Sequence, residues 1–342
     1  MSVFVSGSTG FIAQHIVNQL LQLDYKVIAS VRTQAKADEM THNFNNPNLT
    51  MVVTGDMSQL DAFDPAFKKY GSEIKYVIHA ASPVVFDTTD VVKDTLIPAV
   101  NGTKGILESI KKYAPQNVER IVQTSSVSSL TTDPETRDPS ITANEDSWNS
   151  YTWETAQASP ADAYNGSKKF AEKYLWDFLE ENKDVVKMKA TTILPVFVFG
   201  PQMFDSSVKP KLNVSVEVIN SIIHTPPNGK VRDLAAKFIH VEDVAKAHIL
   251  AMQRDDLIGQ RLILSEGNYN TQDILNYLNN DFPVLKGKIP AADTTALAEG
   301  RPSKDLTYDN SKSRALLGFK FKSLKEAVDD TAAQILKHEG RI

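Results

Sequence analysis

Short apolar runs alternate with stretches of helical spacing through the first two hundred residues. SVFVS at the start, YKVIASV (25–31), LTMVVT (49–54), IKYVIHAAS (74–82) and VERIVQTSS (118–126) are rich in Val and Ile and nearly continuous in apolar residues. Strands covered on both faces look like this. Between them, 11–22, 33–43, 58–70 and 90–113 read as helices. The alternation predicts βαβ units around a parallel sheet. A further helix is predicted over 161–181, and ATTILPVFVFGP (190–201) predicts one more strand, stopped by Gly200 and Pro201.

From 131 to 160 the pattern breaks into a long polar loop with turn residues throughout, the kind that is functional or mobile. Trp148 and Trp153 lie in it, either as part of a lid or as anchors to the core. Beyond Pro201, helices are predicted at 208–223, 241–254 and 271–280, with FIHV (238–241) and QRLILS (260–265) as strands between them. Residues 283–310 show little periodicity. LKEAVDDTAAQILKH carries a helical stripe at Leu324, Ala327, Val328, Ala332 and Ile335. The predicted organisation is a first domain over 1–200, to which segments near 238–265 return, and a smaller lobe over 201–342.

The first strand runs into Gly7-Ser8-Thr9-Gly10-Phe11-Ile12-Ala13, and a helix begins at once. Gly7 suits the tight turn, Gly10 lets backbone approach a bulky anion, and Ala13 lets the helix pack on the strand. The helix N-terminus offers N–H groups and partial positive charge to a pyrophosphate. That predicts a dinucleotide site, and with it an α/β Rossmann-type doubly wound sheet beside a smaller mixed C-terminal lobe. NAD sites place a carboxylate at the end of the second strand, and NADP sites place a cation there. Here the stretch is ASVRTQAKADE, with Arg32 at the strand end and Lys36 one turn into the next helix. Both can converge on a 2′-phosphate, although most such cations are simply solvated. Asp56 in TGDMS is either an adenine contact or a helix cap.

Tyr164 and Lys168 stand four residues apart near a helix start, hence on one face. A free tyrosine titrates near pH 10, and an adjacent ammonium favours the phenolate. The couple is a sensible acid/base pair. Ser126 closes the fifth strand, at the carboxyl edge where open α/β sheets bind ligands, and its hydroxyl can polarise a carbonyl.

Composition narrows the field. The chain has 342 residues, 42% of them hydrophobic and 23% charged, with net charge −5 and no cysteine. Disulfides, thiolate nucleophiles and Cys-based metal sites are excluded. The weak acidity is a poor match to nucleic acid or an anionic membrane. None of the seven histidines has HxxxH or HExxH spacing, so no metal is expected. His240 and Asp243 in FIHVEDV read as structural. No apolar run reaches membrane-spanning length and no leader pattern is visible, so a soluble cytoplasmic protein is expected.

GSTGFIA, TSS at a strand end, YNGSK, LPVFVFGPQ and FIHVEDVAKAH, in this order and across nearly the whole chain, resemble the extended short-chain dehydrogenase/reductases. Within them the likeness is to the NADPH-dependent carbonyl reductases kin to dihydroflavonol reductases, among them methylglyoxal and 3-methylbutanal reductases. SVFVSG, LIPAVNGTKGIL, GSKKFAEK, VFGPQMFD and DFPVLKG carry it. The resemblance implies an NADPH-dependent reductase of small aldehydes, α-dicarbonyls and ketones, monomeric or homodimeric. Tyr164 would donate a proton, Lys168 would tune Tyr164 and hold the nicotinamide ribose, and Ser126 would orient the carbonyl. Gly7, Thr9, Gly10, Phe11, Ile12, Arg32, Lys36, Asp56, Met57, Ala80, Ala81 and Ser82 would contact the cofactor, as would Tyr164, Lys168, Pro195, Val196 and Val198. Val84, Val127, Ser128 and Phe197 would line the substrate pocket. Asn101 matches a helical position used by some relatives in a water relay. Leu194 and Phe197 stand where those relatives usually carry Asn and Tyr. An NAD-retaining epimerase or dehydratase, or a sensor that binds NADP without turnover, are the competing functions.

Overall fold

The computed structural model describes residues 2–132, 135, 138, 140–299 and 307–342. In chain order the elements are β1 (Ser2–Ser6), α1 (Phe11–Gln22), β2 (Lys26–Val31), α2 (Gln34–Phe44), β3 (Leu49–Val53), α3 (Asp64–Tyr70), β4 (Ile74–His79), α4 (Ile97–Tyr113), β5 (Arg120–Thr124), β6 (Thr142–Ala143) and α5 (Pro160–Glu181). Then follow β7 (Lys189–Pro195), β8 (Phe197–Phe199), α6 (Val216–Ile223), β9 (Ala235–His240), α7 (Val241–Gln253), β10 (Arg261–Leu264), β11 (Gly267–Asn270), α8 (Thr271–Asp281), β12 (Thr307–Tyr308), α9 (Ser311–Leu317) and α10 (Leu324–His338). No described helix is long and apolar enough to cross a membrane.

Seven strands form one sheet in the order β10-β7-β5-β4-β1-β2-β3. β1 pairs in parallel with both β2 and β4, and β4–β5 and β5–β7 are parallel too. The order reverses beside β1, which opens a crevice at the carboxyl ends of β1 and β4. All five residues of β1 are buried, as a strand with helices on both faces requires. Phe4, Phe63, Phe67, Ile74, Ile106 and Ile110 form part of the core against this sheet.

Over the described residues the chain divides into two compact units, one drawn from 1–194, 245–263 and 305–317, the other from 195–244, 264–304 and 318–342. The second unit holds the three-stranded sheet β11-β9-β8, with β8–β9 parallel and β9–β11 antiparallel. Its core includes Phe199, Phe238, Tyr269, Leu278, Val328 and Leu336.

Four expected elements differ from what forms. The helix expected over 58–70 begins only at Asp64, because Pro65 has no N–H and belongs in a first turn. The helix expected over 90–113 opens as a π-turn at Val92–Leu96 and becomes regular from Ile97. Pro98 interrupts the ladder there. The single strand expected over 190–201 is two: β7 ends at Pro195, and β8 belongs to the other sheet. Of the helix expected over 208–223, only Val216–Ile223 forms. β11, α9 and the short β6–β12 pair were not foreseen.

Candidate active site

The turn after β1 is built for close approach. Gly7 has φ +67, and a Cβ there would lie 2.7 Å from the Ala81 Cα. Only glycine takes that conformation freely, and only glycine leaves the space. Gly10 caps α1 without any side-chain cap bond, so the first N–H groups of this twelve-residue helix are not claimed by a cap side chain. Ala81 N donates to Ser6 Oγ at 3.1 Å, and Ser6 Oγ lies 2.8 Å from His79 Nδ1. The Ser6 hydroxyl keeps a second acceptor lone pair beside the one that Ala81 uses, so the direction of the Ser6–His79 bond follows the imidazole tautomer. Burial, helped by the Lys168 charge, pushes His79 down to about 3, so it stays neutral at physiological pH. The ends of β1 and β4 are thus tied together around the glycine turn. Thr9 and Gly10 are exposed, and Phe11, Ile12, Ala80, Ala81 and Ser82 are half-buried. A cradle that a Cβ would fill, next to an uncapped helix end, fits a dinucleotide pyrophosphate.

Arg32 is exposed just past β2, and its positive charge helps hold the Asp56 carboxyl below its ordinary value. The larger causes are hydrogen bonds from Ser58, whose N–H reaches Asp56 Oδ1 at 2.9 Å and whose hydroxyl reaches Oδ2 at 2.7 Å. Asp56 therefore closes a turn rather than capping α3. Lys36 pairs with Glu39 on its own helix at 2.5 Å. The Met57 side chain is buried against Gly102 in the core, leaving backbone as what that position presents. Asn101 Nδ2 donates to Ser58 O at 2.8 Å, pinning the Asp56–Met57 turn to α4.

Ser126, Tyr164 and Lys168 come together. α5 starts at a capped position: the Ser159 hydroxyl accepts from Asp162 N at 3.1 Å, and Pro160 opens the first turn. Tyr164 then falls in the second turn, with Lys168 one turn on. The Lys168 ammonium lies 5.5 Å from the Tyr164 ring centroid and is buried. Ser126 follows β5 and caps a 3₁₀ turn, accepting from Ser128 N at 3.1 Å. That bond uses an acceptor lone pair and leaves the hydroxyl proton available, and Ser126 stands close enough to the Tyr164 phenol to favour its ionised form. The expectation that the ammonium would dominate the phenol is corrected: burial raises Tyr164 above its ordinary value, and the nearby Ser126 hydroxyl offsets this only in part. Burial lowers Lys168 to about 8, against the opposing pull of the Glu172 charge. Near neutral pH the pair is a protonated phenol beside an ammonium.

Val84 is 51% exposed, and Val127 and Ser128 are half-buried next to Ser126. The Phe86 ring lies 5.4 Å from the Tyr164 ring. Sequence reasoning passed over Phe86, although an aromatic two residues beyond Val84 was the available signal. Pro195, Val196, Phe197 and Val198 belong to the second unit; Phe197 is 36% exposed and packs its ring edge on Tyr269, while the other three are buried. His240 is buried, with Nδ1 accepting from Glu242 N, and Asp243 accepts from Lys322 N at 2.7 Å. Trp148 stacks on the Arg261 guanidinium at 3.7 Å, and Trp153 lies 5.6 Å from Phe170.

A doubly wound sheet with a glycine cradle at its switch point and a Ser–Tyr–Lys cluster beside it defines a class of nucleotide-dependent enzymes. The chain belongs to the NAD dependent epimerase/dehydratase family, whose model matches residues 3–264. Among its relatives, NADPH-dependent methylglyoxal reductase GRE2 of Saccharomyces cerevisiae is 56% identical, with both chains covered in full. Putative NADPH-dependent methylglyoxal reductase GRP2 of Candida albicans is 43% identical over 98% of each chain. Among solved structures, yeast methylglyoxal/isovaleraldehyde reductase Gre2 complexed with NADPH superposes with a TM-score of 0.97 at 56% identity, covering 100% of both chains. The kinship expected from the motifs is met.

Proposed function

We propose that this chain is an NADPH-dependent carbonyl reductase of small aldehydes, α-dicarbonyls such as methylglyoxal, and ketones, with Ser126, Tyr164 and Lys168 as its reacting groups. The observation that carries the reading is the Ser126–Tyr164–Lys168 cluster, with the Lys168 ammonium 5.5 Å from the Tyr164 ring. The full-length likeness to reductases named for NADPH and methylglyoxal supports the cofactor and the substrate class.

NADPH, when bound, supplies the hydride. Gly7, Gly10 and the start of α1 hold the pyrophosphate, with Thr9, Phe11, Ile12 and Ala80 to Ser82 along the same crevice. Arg32 would hold the 2′-phosphate, with Lys36, paired with Glu39 on its own helix, as the second cation assigned to it. The Asp56–Met57 turn faces the adenine. Ser126 donates to the substrate carbonyl oxygen and fixes its orientation. Tyr164 delivers the proton to that oxygen as it gains charge, and the Lys168 ammonium stabilises the phenolate left behind. Phe86, against the Tyr164 ring, together with Val84 and Val127, gives an apolar wall suited to small side groups, with Ser128 as a polar neighbour. We assign cofactor binding to the first unit. The reductase works in the cytoplasm as a monomer or homodimer. A cation rather than a carboxylate after β2 argues against an NAD-retaining epimerase.

The test is a steady-state screen of carbonyl compounds with NADPH and with NADH. Rapid NADPH consumption with methylglyoxal or a small aldehyde, and slow NADH consumption, is expected. Purification with tightly bound NAD, or no turnover with any carbonyl, would contradict the reading.

A further inference from the structure

The helix face that carries Tyr164 and Lys168 continues, one turn further, to Glu172, a fully buried carboxylate. It receives six donors. Thr192 Oγ1 (2.8 Å), Arg261 Nε (2.7 Å) and Trp176 Nε1 (3.4 Å) reach Oε1. Ser125 Oγ (2.6 Å), Ser129 Oγ (2.9 Å) and an Arg261 terminal nitrogen (3.3 Å) reach Oε2. The Arg261 side chain is 9% exposed. Its other nitrogen donates to the Glu145 and Ser147 carbonyls, and its face lies on Trp148.

An ion pair this deep is a poor device for stability alone, since desolvating two charges offsets most of their attraction. Its partners say what else it does. Ser125 and Ser129 flank Ser126 in the chain, one before the 3₁₀ turn and one at its end. The Ser129 hydroxyl also lies 2.9 Å from the Ser126 carbonyl oxygen. The carboxylate thus holds the serine hydroxyls on both sides of Ser126 from the same helix that presents Tyr164. Asn149 closes the clasp from the opposite direction: its Nδ2 donates to the Ser128 and Asn165 carbonyls, at 2.8 and 3.1 Å.

We propose that Glu172, with its buried partner Arg261, is a positioning residue for the reaction, fixing the Ser126 hydroxyl against Tyr164 by holding Ser125 and Ser129. The inference rests on the assignment of Ser126, Tyr164 and Lys168 made above. Misplacing a group that orients substrate by a fraction of an ångström lowers turnover while leaving distant cofactor contacts intact.

The test uses Ser125→Ala and Glu172→Asp beside Tyr164→Phe, assayed with methylglyoxal and NADPH. Glu172→Gln would leave the Arg261 charge buried without its counter-ion, so the two milder variants carry the experiment. Turnover is expressed per NADPH-binding site, counted by fluorescence titration of the same sample, which removes any loss due to misfolded protein. Each mild variant is expected to lose about tenfold in kcat per binding site, with its NADPH Kd within about twofold of wild type. If kcat per site stays within about twofold of wild type in both, while Tyr164→Phe is inactive, the positioning role is wrong and the catalytic assignment stands. A loss that vanishes on normalisation to binding sites also overturns it, since that is what mere stabilisation would do. Full activity in Tyr164→Phe would overturn the catalytic assignment, and the positioning role with it.

Discussion

Lys168 sits one helical turn beyond Tyr164 on α5, its ammonium 5.5 Å from the phenol ring centroid, and both are shielded enough for burial to be the largest influence on their titration. The same burial acts on them with opposite sign. It disfavours the phenolate and so raises Tyr164; it disfavours the ammonium and so lowers Lys168 to about 8. The form suited to reduction, neutral phenol and charged lysine, is the one favoured near neutral pH.

The alkaline limb of the pH profile follows from Lys168. With a value of about 8, the ammonium is present below that pH and lost above it. kcat/KM for carbonyl reduction at saturating NADPH should fall as pH rises through about 8, well before Tyr164 itself titrates. His79, held at about 3, adds nothing in this range. Lys168→Arg, whose guanidinium keeps its proton, should abolish that limb whatever its residual rate. A wild-type profile flat to pH 10 would contradict the assignment.

Arg32 is the cation placed for a 2′-phosphate. Charge-assisted hydrogen bonds to such a group contribute about 1.5–3 kcal/mol. Arg32→Ala should therefore weaken NADPH by roughly tenfold to a hundredfold and leave NADH almost unchanged, measured by titration of cofactor fluorescence. Equal weakening of both cofactors would remove Arg32 from the phosphate site.

Gly7→Ala meets two obstacles, a φ of +67 and a Cβ that would lie 2.7 Å from the Ala81 Cα. Left-handed backbone in a non-glycine residue costs about 1–3 kcal/mol, and the clash adds to it by pushing β4's end away from the turn. A lower Tm and loss of NADPH binding are expected together. Normal binding would mean that the turn does not form the cofactor cradle.

Much of this site was legible because its signals are local. Gly7 and Gly10 are three residues apart, and Tyr164 and Lys168 four, so local geometry alone puts each pair together. The alternation of apolar strands and helical stretches carried the sheet in the same way. What escaped reading depends on partners far along the chain. Glu172 and Arg261 are separated by 89 residues, and nothing near either marks the other. The faint signal was a second i+4 step beyond Lys168 and an arginine opening the apolar run RLIL. Tyr164 showed the opposite limit. Its neighbour was readable, but the weight of burial over charge depends on surroundings that spacing does not encode. The helix errors at Pro65 and Pro98 were avoidable, since both prolines stand inside the stretches read as continuous.

The most direct measurement is NADPH consumption with methylglyoxal by wild type and Tyr164→Phe, with NADPH Kd determined on the same samples. The account predicts a loss of about 10²-fold to 10⁴-fold in kcat with an unchanged Kd, because the hydroxyl is needed for proton delivery and not for holding the cofactor. Turnover by Tyr164→Phe at the wild-type rate would contradict it.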